Sequence, residues 1–275
     1  VKAYLSYSTN GYHGINNVSG MVRDCTYIAV RLAKQWFEEV VLVADEAGAR
    51  AMADIPFDRV EKALEGKIPR YLEKVWSLPK IEAYLHIAKK GDPFVHIDGD
   101  VFLWGALPER LLKAEVFAQS IEPKAHILYG VDTFIKACPN PGEIKNYRQP
   151  HAYNTGIFGG SNLTLICEYA EEALGIIKNT HNEGYWKSVS WADAWKAAVI
   201  PEQYCLASIL GKSGADIELL TDKPWPTDEQ MKGVPYSHLM GRKQEPEIQK
   251  QVRELVKLFK SQPSTSQPSV GIPPA

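Results

Sequence analysis

Residues 2–8, KAYLSYS, form an aromatic and aliphatic run that predicts a strand, and the Gly- and Asn-rich TNGYHG after it reads as a loop. Met21, Cys25, Ile28, Leu32 and Trp36 then recur at helical spacing. VVLVAD, residues 40–45, is a continuous apolar run ending in a carboxylate, the pattern of a buried parallel strand. Strand, helix, strand at the start of the chain indicates an α/β fold. The stretch 47–75 reads as helical and irregular by turns. SLPKIEAYLHIAKKG, 77–91, predicts a helix capped by Ser77, with Pro79 in its first turn, two lysines in its last and Gly91 at its end. It leads into PFVHIDGD. HILYGVD (126–132) and AYNTGIFGG (152–160) read as further strands, separated by the polar, proline-bearing loop KACPNPGEIKNYRQP.

Residues 161–179 predict a helix, the tryptophan-rich YWKSVSWADAWKAAV follows, and PEQYCLASILG (201–211) predicts another helix. DIELL (216–220) reads as a short strand. Residues 245–260 are amphipathic, with Ile248, Val252, Leu255, Val256 and Phe259 on one face. The last fifteen residues, SQPSTSQPSVGIPPA, carry four prolines and no charge, the composition of a flexible tail. The expected organisation is one domain over 1–260 and a tail over 261–275.

Composition narrows the function classes. The 275 residues suffice for one domain with a sizeable core. A net charge of -2 lacks the basic excess of a nucleic-acid binder. Cys25, Cys138, Cys167 and Cys205 have no metal-site spacing and read as reduced thiols. No run approaches the roughly 18 apolar residues of a membrane span. The chain opens on Val1, as after trimming of a leader or tag, and shows no secretory leader pattern. The expected location is cytoplasmic.

The chemistry concentrates in FVHIDGD. In a strand, Asp98 and Asp100 point to one side, and the carboxyl ends of strands in open α/β sheets are where ligands bind. Two adjacent carboxylates beside apolar runs repel unless a cation joins them. A hard divalent ion with oxygen ligands, shared with substrate phosphates, resolves the repulsion. The other reading is a solvated turn at a strand end.

FVHIDGDVFLW is similar to the D-x-D segment of GT-A glycosyltransferases, enzymes with a Rossmann-like mixed sheet flanked by helices. The resemblance implies that Mn²⁺ or Mg²⁺ on Asp98 and Asp100 holds the diphosphate of a nucleotide sugar, a UDP-sugar by expectation. Three further segments follow in family order. SLPKIEAYL offers Lys80 near the nucleotide. YNTGIFGG is similar to the strand whose Asn meets donor sugar or acceptor, which makes Asn154 and Thr155 candidates. PEQYCLASIL and YSHLMGRK resemble D-Q-D-x-L-N and H-x-x-G-x-x-K of the retaining family that includes glycogenin. Glu202 and Gln203 match the first two positions there, and Tyr204 replaces the second carboxylate. His238 matches the histidine that completes the metal shell, and Gly241 matches the glycine. Lys243 falls one position early, which leaves Arg242 or Lys243 to meet the phosphates. The chain also resembles uncharacterised bacterial glycosyltransferase-like domains.

By the same resemblance, Tyr7, Thr9 and Asp45 are candidates for the base and ribose, with Asp98 and Gly99 beside the donor. Inversion would need a carboxylate base, for which Asp132, Asp193 and Glu202 are candidates; retention would place Glu202 or Gln203 near the sugar. The acceptor is not specified. The competing readings are a phosphatase of the haloacid-dehalogenase type, a nucleotidyltransferase, and a non-catalytic sugar- or nucleotide-binding module. In an enzyme or a binding module alike, Trp191 and Trp195 would stack on sugar, unless they pack in a helix.

Overall fold

A computed structural model describes residues 1–9, 19–221, 236–239 and 242–261. In chain order its elements are β1 (Lys2–Tyr7), α1 (Ser19–Ala33), β2 (Val40–Ala44), α2 (Glu46–Ala51), β3 (Arg59–Glu61), α3 (Leu78–Ala88), β4 (Phe94–Ile97), β5 (Val101–Leu103), α4 (Glu109–Leu112) and β6 (Phe117–Glu122). There follow α5 (Ala125–Leu128), α6 (Val131–Ala137), β7 (Ala152–Gly160), α7 (Leu163–Lys178), α8 (Glu183–Ser188) and α9 (Trp191–Val199). A π-helical turn (Ile200–Tyr204) joins α9 to α10 (Cys205–Ser213), and β8 (Glu218–Thr221), β9 (Tyr236–His238) and α11 (Pro246–Ser261) complete the chain.

Seven strands form one sheet in the order β3-β2-β1-β4-β7-β6-β8, and β5 and β9 form a separate pair. β1 is parallel to β2 and β4, and β2 to β3, whereas β7 runs antiparallel to both β4 and β6. β8 returns parallel to β6. The result is the expected α/β architecture, a mixed sheet flanked by helices.

The period-2 alternation of buried strands divides their side chains between two cores. Tyr4, Val41, Val43, Phe94 and Phe158 pack with α3, α7, α8 and α10 through Tyr84, Tyr169, Trp186 and Ile209. Ala3, Leu5, Leu42, Val95 and Ile157 pack with α1 and α11 through Ile28, Val252, Val256 and Phe259. The helix leaving β1 thus lies on one face and the helix entering β4 on the other. Where neighbouring parallel strands send their connections to opposite sides, their carboxyl ends leave a crevice. The candidate site lies there.

Several sequence expectations change. Residues 126–132 are not a strand: α5 and α6 cover them, joined at Gly130 with φ of 68°. A short apolar run does not separate strand from helix by periodicity. Ile127 and Leu128, 80% and 50% exposed, contribute no core-facing alternation. The neighbouring strand is β6, with sequence FAQSIE. Ser77 does not cap α3 with its side chain; its hydroxyl donates to the Ala198 carbonyl at 2.6 Å. Asp98-Gly99-Asp100 is a turn rather than strand, closed by Val101 N–H on the Asp98 carbonyl at 3.0 Å. The four cysteines are free thiols. Among the described residues no helix is long and apolar enough to cross a membrane. The tail beyond Ser261 lies outside the described residues.

β4 and β7 pair with Val95 opposite Gly159, and a Cβ on Gly159 would run into the Phe94 carbonyl oxygen and stand 3.0 Å from Phe117 Cζ. Gly159→Ala is therefore expected to lower stability by about 1–3 kcal/mol in urea unfolding, as overpacked sites do. An unchanged midpoint would show that the two strands have slack there.

Candidate functional site

The apolar run of β4 ends at Ile97, and the chain must turn at once to supply β5. Asp98 N–H extends the β4–β7 ladder onto the Gly156 carbonyl at 2.8 Å. A Cβ on Gly99 would stand 2.6 Å from Thr26 Oγ1, so glycine is what lets this turn press against α1. β5 pairs antiparallel with β9 in a register that sets Val101 opposite His238, and Leu239 N–H donates to the Asp100 carbonyl at 3.1 Å. A residue far along the chain thereby arrives beside the acidic turn. One ligand atom each from Asp98, Asp100 and His238 lie within 4.8 Å of one another, a group that can hold a metal ion.

The tautomer of His238 follows from its neighbours. Its Nδ1 lies 2.9 Å from Gln119 Oε1, and the Gln119 amide also hydrogen-bonds the Tyr236 hydroxyl. A carbonyl oxygen only accepts, so Nδ1 donates to it, and Nε2 is the ring nitrogen that faces the cluster. Nε2 lies 3.4 Å from Asp100 Oδ1. Two acceptors facing each other repel unless a proton or a cation lies between them. The donor set of carboxylate oxygen and imidazole nitrogen suits Mn²⁺, and its oxygens suit Mg²⁺. The oriented second nitrogen is the usual support for a metal-binding histidine. The residues fit the ion.

Two lysines offset the negative charge. Lys80, in the first turn of α3, lies 2.7 and 2.8 Å from the two oxygens of Asp98 and 2.7 Å from Glu202 Oε1. Thr155 Oγ1 donates to the same Glu202 oxygen at 2.6 Å. Lys243 Nζ contacts Asp100 Oδ2. Three carboxylates thus face two ammonium groups, with His238 beside Asp100. Burial pushes Asp98 up to about 6 against the pull of Lys80. Burial also works to raise Asp100, yet Lys243 and His238 hold it well below the carboxylate range. Burial and Lys80 hold His96 well below its ordinary value, so this ring is neutral; its Nε2 pairs with Ser6 Oγ at 3.0 Å.

Glu202 owes its position to the π turn that joins α9 and α10. Such turns insert a residue into a helix and recur at functional sites. The Glu202 carbonyl accepts from Tyr169 OH at 2.8 Å, and its side chain is fully buried. Among the described residues Glu202 Oε2 and Gln203 Oε1 are buried without a hydrogen-bond partner. Tyr204, standing where the resemblance calls for a carboxylate, meets His126 Nδ1 at 2.9 Å and donates to the Gln149 carbonyl at 2.8 Å.

Other expected residues are dispersed. Asn154 Oδ1 accepts from Gly156 N–H at 2.9 Å and its amide donates to Glu122 Oε1 at 3.2 Å. Asp45 is the N-cap of α2, holding Gly48 N–H and the Ser8 hydroxyl. Tyr7 lies half-buried beside it at the end of β1, followed by Thr9. Asp132 is exposed and pairs with His126 at 3.1 Å, and Asp193 accepts from Ser190 in the cap of α9. Arg242 pairs with Glu245. Trp191 and Trp195 are about half-exposed on α9. Gly241 and most of TNGYHG lie outside the described residues.

Two residues escaped the sequence reading. Gln119 sits in β6 where a register shift faces it toward Gly156, and a Cβ there would stand 2.5 Å from the His238 ring. Glu122, buried at the carboxyl end of β6, has its carboxyl raised by burial. The polar letters inside FAQSIE were their only signal.

The family model of DUF6734, a family of unknown function, matches residues 24–264. No curated protein sequence matches the chain. Among solved structures, the apo form of mouse xyloside xylosyltransferase 1 aligns at 10% identity and a TM-score of 0.39, over 86% of this chain and 97% of that one. The apo structure of the bifunctional glycosyltransferase WbbM aligns at 10% identity and a TM-score of 0.37, over 92% of this chain and 51% of that one.

Removing the Lys80 ammonium leaves two enclosed carboxylates facing each other. Lys80→Met is expected to cost about 3–5 kcal/mol in chemical denaturation, part of it recovered in the Lys80→Met/Glu202→Gln double variant. A loss below about 1 kcal/mol would place this pair with exposed ion pairs. Long-range proton–nitrogen correlation NMR is expected to show His238 as the Nδ1–H tautomer, and Gln119→Leu to populate both tautomers. The same variant should weaken Mn²⁺ binding about 10–100-fold. A single unchanged tautomer in Gln119→Leu would assign the orientation to another group.

Proposed function

We propose that this chain, which belongs to the DUF6734 family of unknown function, is a metal-dependent glycosyltransferase that takes a sugar from a nucleoside-diphosphate donor, UDP-linked, to an acceptor hydroxyl. The observation that carries this reading is the acidic turn after β4. It joins Asp98, Asp100 and His238, whose Nδ1 is held by Gln119, at the crevice between β1 and β4. A solvated turn would not pair with two lysines, one of them buried.

In this reading Asp100 and His238 hold Mn²⁺ or Mg²⁺, with Asp98 beside them. When bound, the ion acts as a Lewis acid for the departing diphosphate. The remaining work belongs to the chain. Lys243 and Arg242 lie on the short turn after β9 and reach the phosphates. Tyr7 and Thr9 end β1 on the side assigned to the base and ribose. Asn154 and Thr155 border the sugar. Lys80 keeps Asp98 ionised and oriented, and we assign Glu202 to holding Lys80, since one of its oxygens is bound twice and the other is sealed. Gln203 lies beside it for contact with the sugar. Positioning the acceptor at the anomeric carbon supplies the rest of the acceleration.

Thermal unfolding with nucleoside diphosphates tests the reading directly. UDP with Mn²⁺ is expected to stabilise the protein more than ADP or GDP with Mn²⁺, by about 2.7 kcal/mol once ligand exceeds Kd roughly a hundredfold. Asp100→Ala should fold and lose the metal-dependent part of that gain. Equal shifts for all three nucleotides would remove the uridine assignment, and a metal-dependent gain of wild-type size in Asp100→Ala would remove the shared cation.

A further inference from the structure

Lys243 sits where the charge of a divalent ion is needed. Its ammonium contacts Asp100 Oδ2, while the other oxygen of Asp100 faces Nε2 of His238. The two functions assigned to this stretch of chain compete: an ammonium held by Asp100 is not on a phosphate, and Asp100 neutralised by an ammonium attracts a cation less. The side chain is 22% exposed, on a short turn after β9, so its head can leave without breaking a core. Lys80 differs. It is 8% exposed and bonded to two carboxylates from α3, so it is a permanent counter-ion.

We infer that Lys243 is a tethered cation that fills the metal position of the nucleotide-free protein and moves to the diphosphate as donor and metal enter together. The inference rests on the glycosyltransferase reading of the same site. The charge count is what drives it. Without nucleotide, Asp100 has one ammonium. With nucleotide, the diphosphate brings negative charge that draws the ammonium away, and the vacated carboxylate oxygen turns to the metal. Metal alone must displace Lys243 with nothing to receive it. Metal with diphosphate exchanges one ion pair for another. The consequence is positive coupling between the two ligands, which linkage makes reciprocal.

Isothermal titration of the full chain with Mn²⁺ alone, UDP alone and both together tests this. Wild type is expected to bind Mn²⁺ weakly until UDP is present. Lys243→Met keeps the stem and removes the charge, and should bind Mn²⁺ alone about tenfold tighter, the factor released when a mostly occupied site becomes competent. Its gain in Mn²⁺ affinity on adding UDP should shrink correspondingly. Lys243→Gln should behave like Lys243→Met, and Lys243→Arg like wild type. Mn²⁺ affinity unchanged in both neutral variants would overturn the tethered-cation role while leaving the donor site intact. If the neutral variants gain Mn²⁺ affinity but UDP binds to none of the proteins, the lysine does mask a cation site, no diphosphate relieves it, and both the exchange and the glycosyltransferase reading fall.

Discussion

Three carboxylates gathered around two ammonium groups are the constraint from which the rest of the structure follows. Each buried ion costs several kcal/mol of lost hydration, recovered only where partners are close and well oriented. Lys80 meets that need for Asp98 and Glu202 together, which is why the first turn of α3 must lie under the end of β4 and why the π turn must bring Glu202 to the same nitrogen. Asp100 is satisfied from elsewhere, through the β5–β9 pair that delivers His238 and Lys243. The two carboxylates of the turn consequently have different attachments: one is anchored to the body of the fold, the other to its C-terminal strand.

That division bears on how the site is used. The anchored half is held by the Lys80 ammonium: Lys80, Glu202 and Thr155 are buried, and Asp98 is bound through both oxygens. The other half, Asp100, His238 and Lys243, is tied through a three-residue strand and the 3₁₀ turn 242–244. A pocket that receives a metal and a diphosphate needs such a mixture. Rigid groups preserve geometry, and loosely tied ones accept new partners.

Much of the scaffold was legible because its elements are strongly patterned. VVLVA is an unbroken apolar run, FVHI is interrupted only by His96, and α11 carries its apolar residues on one face, so the strands and the packed helix follow from hydrophobicity. The Asp98–Asp100 pair was legible for a different reason: charge beside such runs demands compensation. What compensates it was only partly readable. Lys80 and His238 came from resemblance, not from spacing, since contacts between residues 18 and 138 positions apart leave no periodic trace. β6 was missed because FAQSIE mixes polar and apolar letters, two of the polar ones serving the site. HILYG was misread because an exposed one-turn helix can carry as many apolar letters as a strand. Asp45 was read as a possible ligand partner, and it is also the cap of α2, a local role that any acid after a strand can take.

The π turn between α9 and α10 has an implication for the whole C-terminal half. A helix advances about 100° per residue, so one extra residue within a continuous rod rotates everything after it relative to everything before. The rod beginning at Trp191 and ending at Ser213 therefore has two faces out of phase, joined where Glu202 sits. The half-exposed tryptophans belong to the first phase and the buried Leu206 and Ile209 to the second. The aim of Glu202 at Lys80 is thus a matter of counting rather than of residue type. A chain in which this rod were one residue shorter would keep every helix-forming residue around the turn and still point its carboxylate somewhere else.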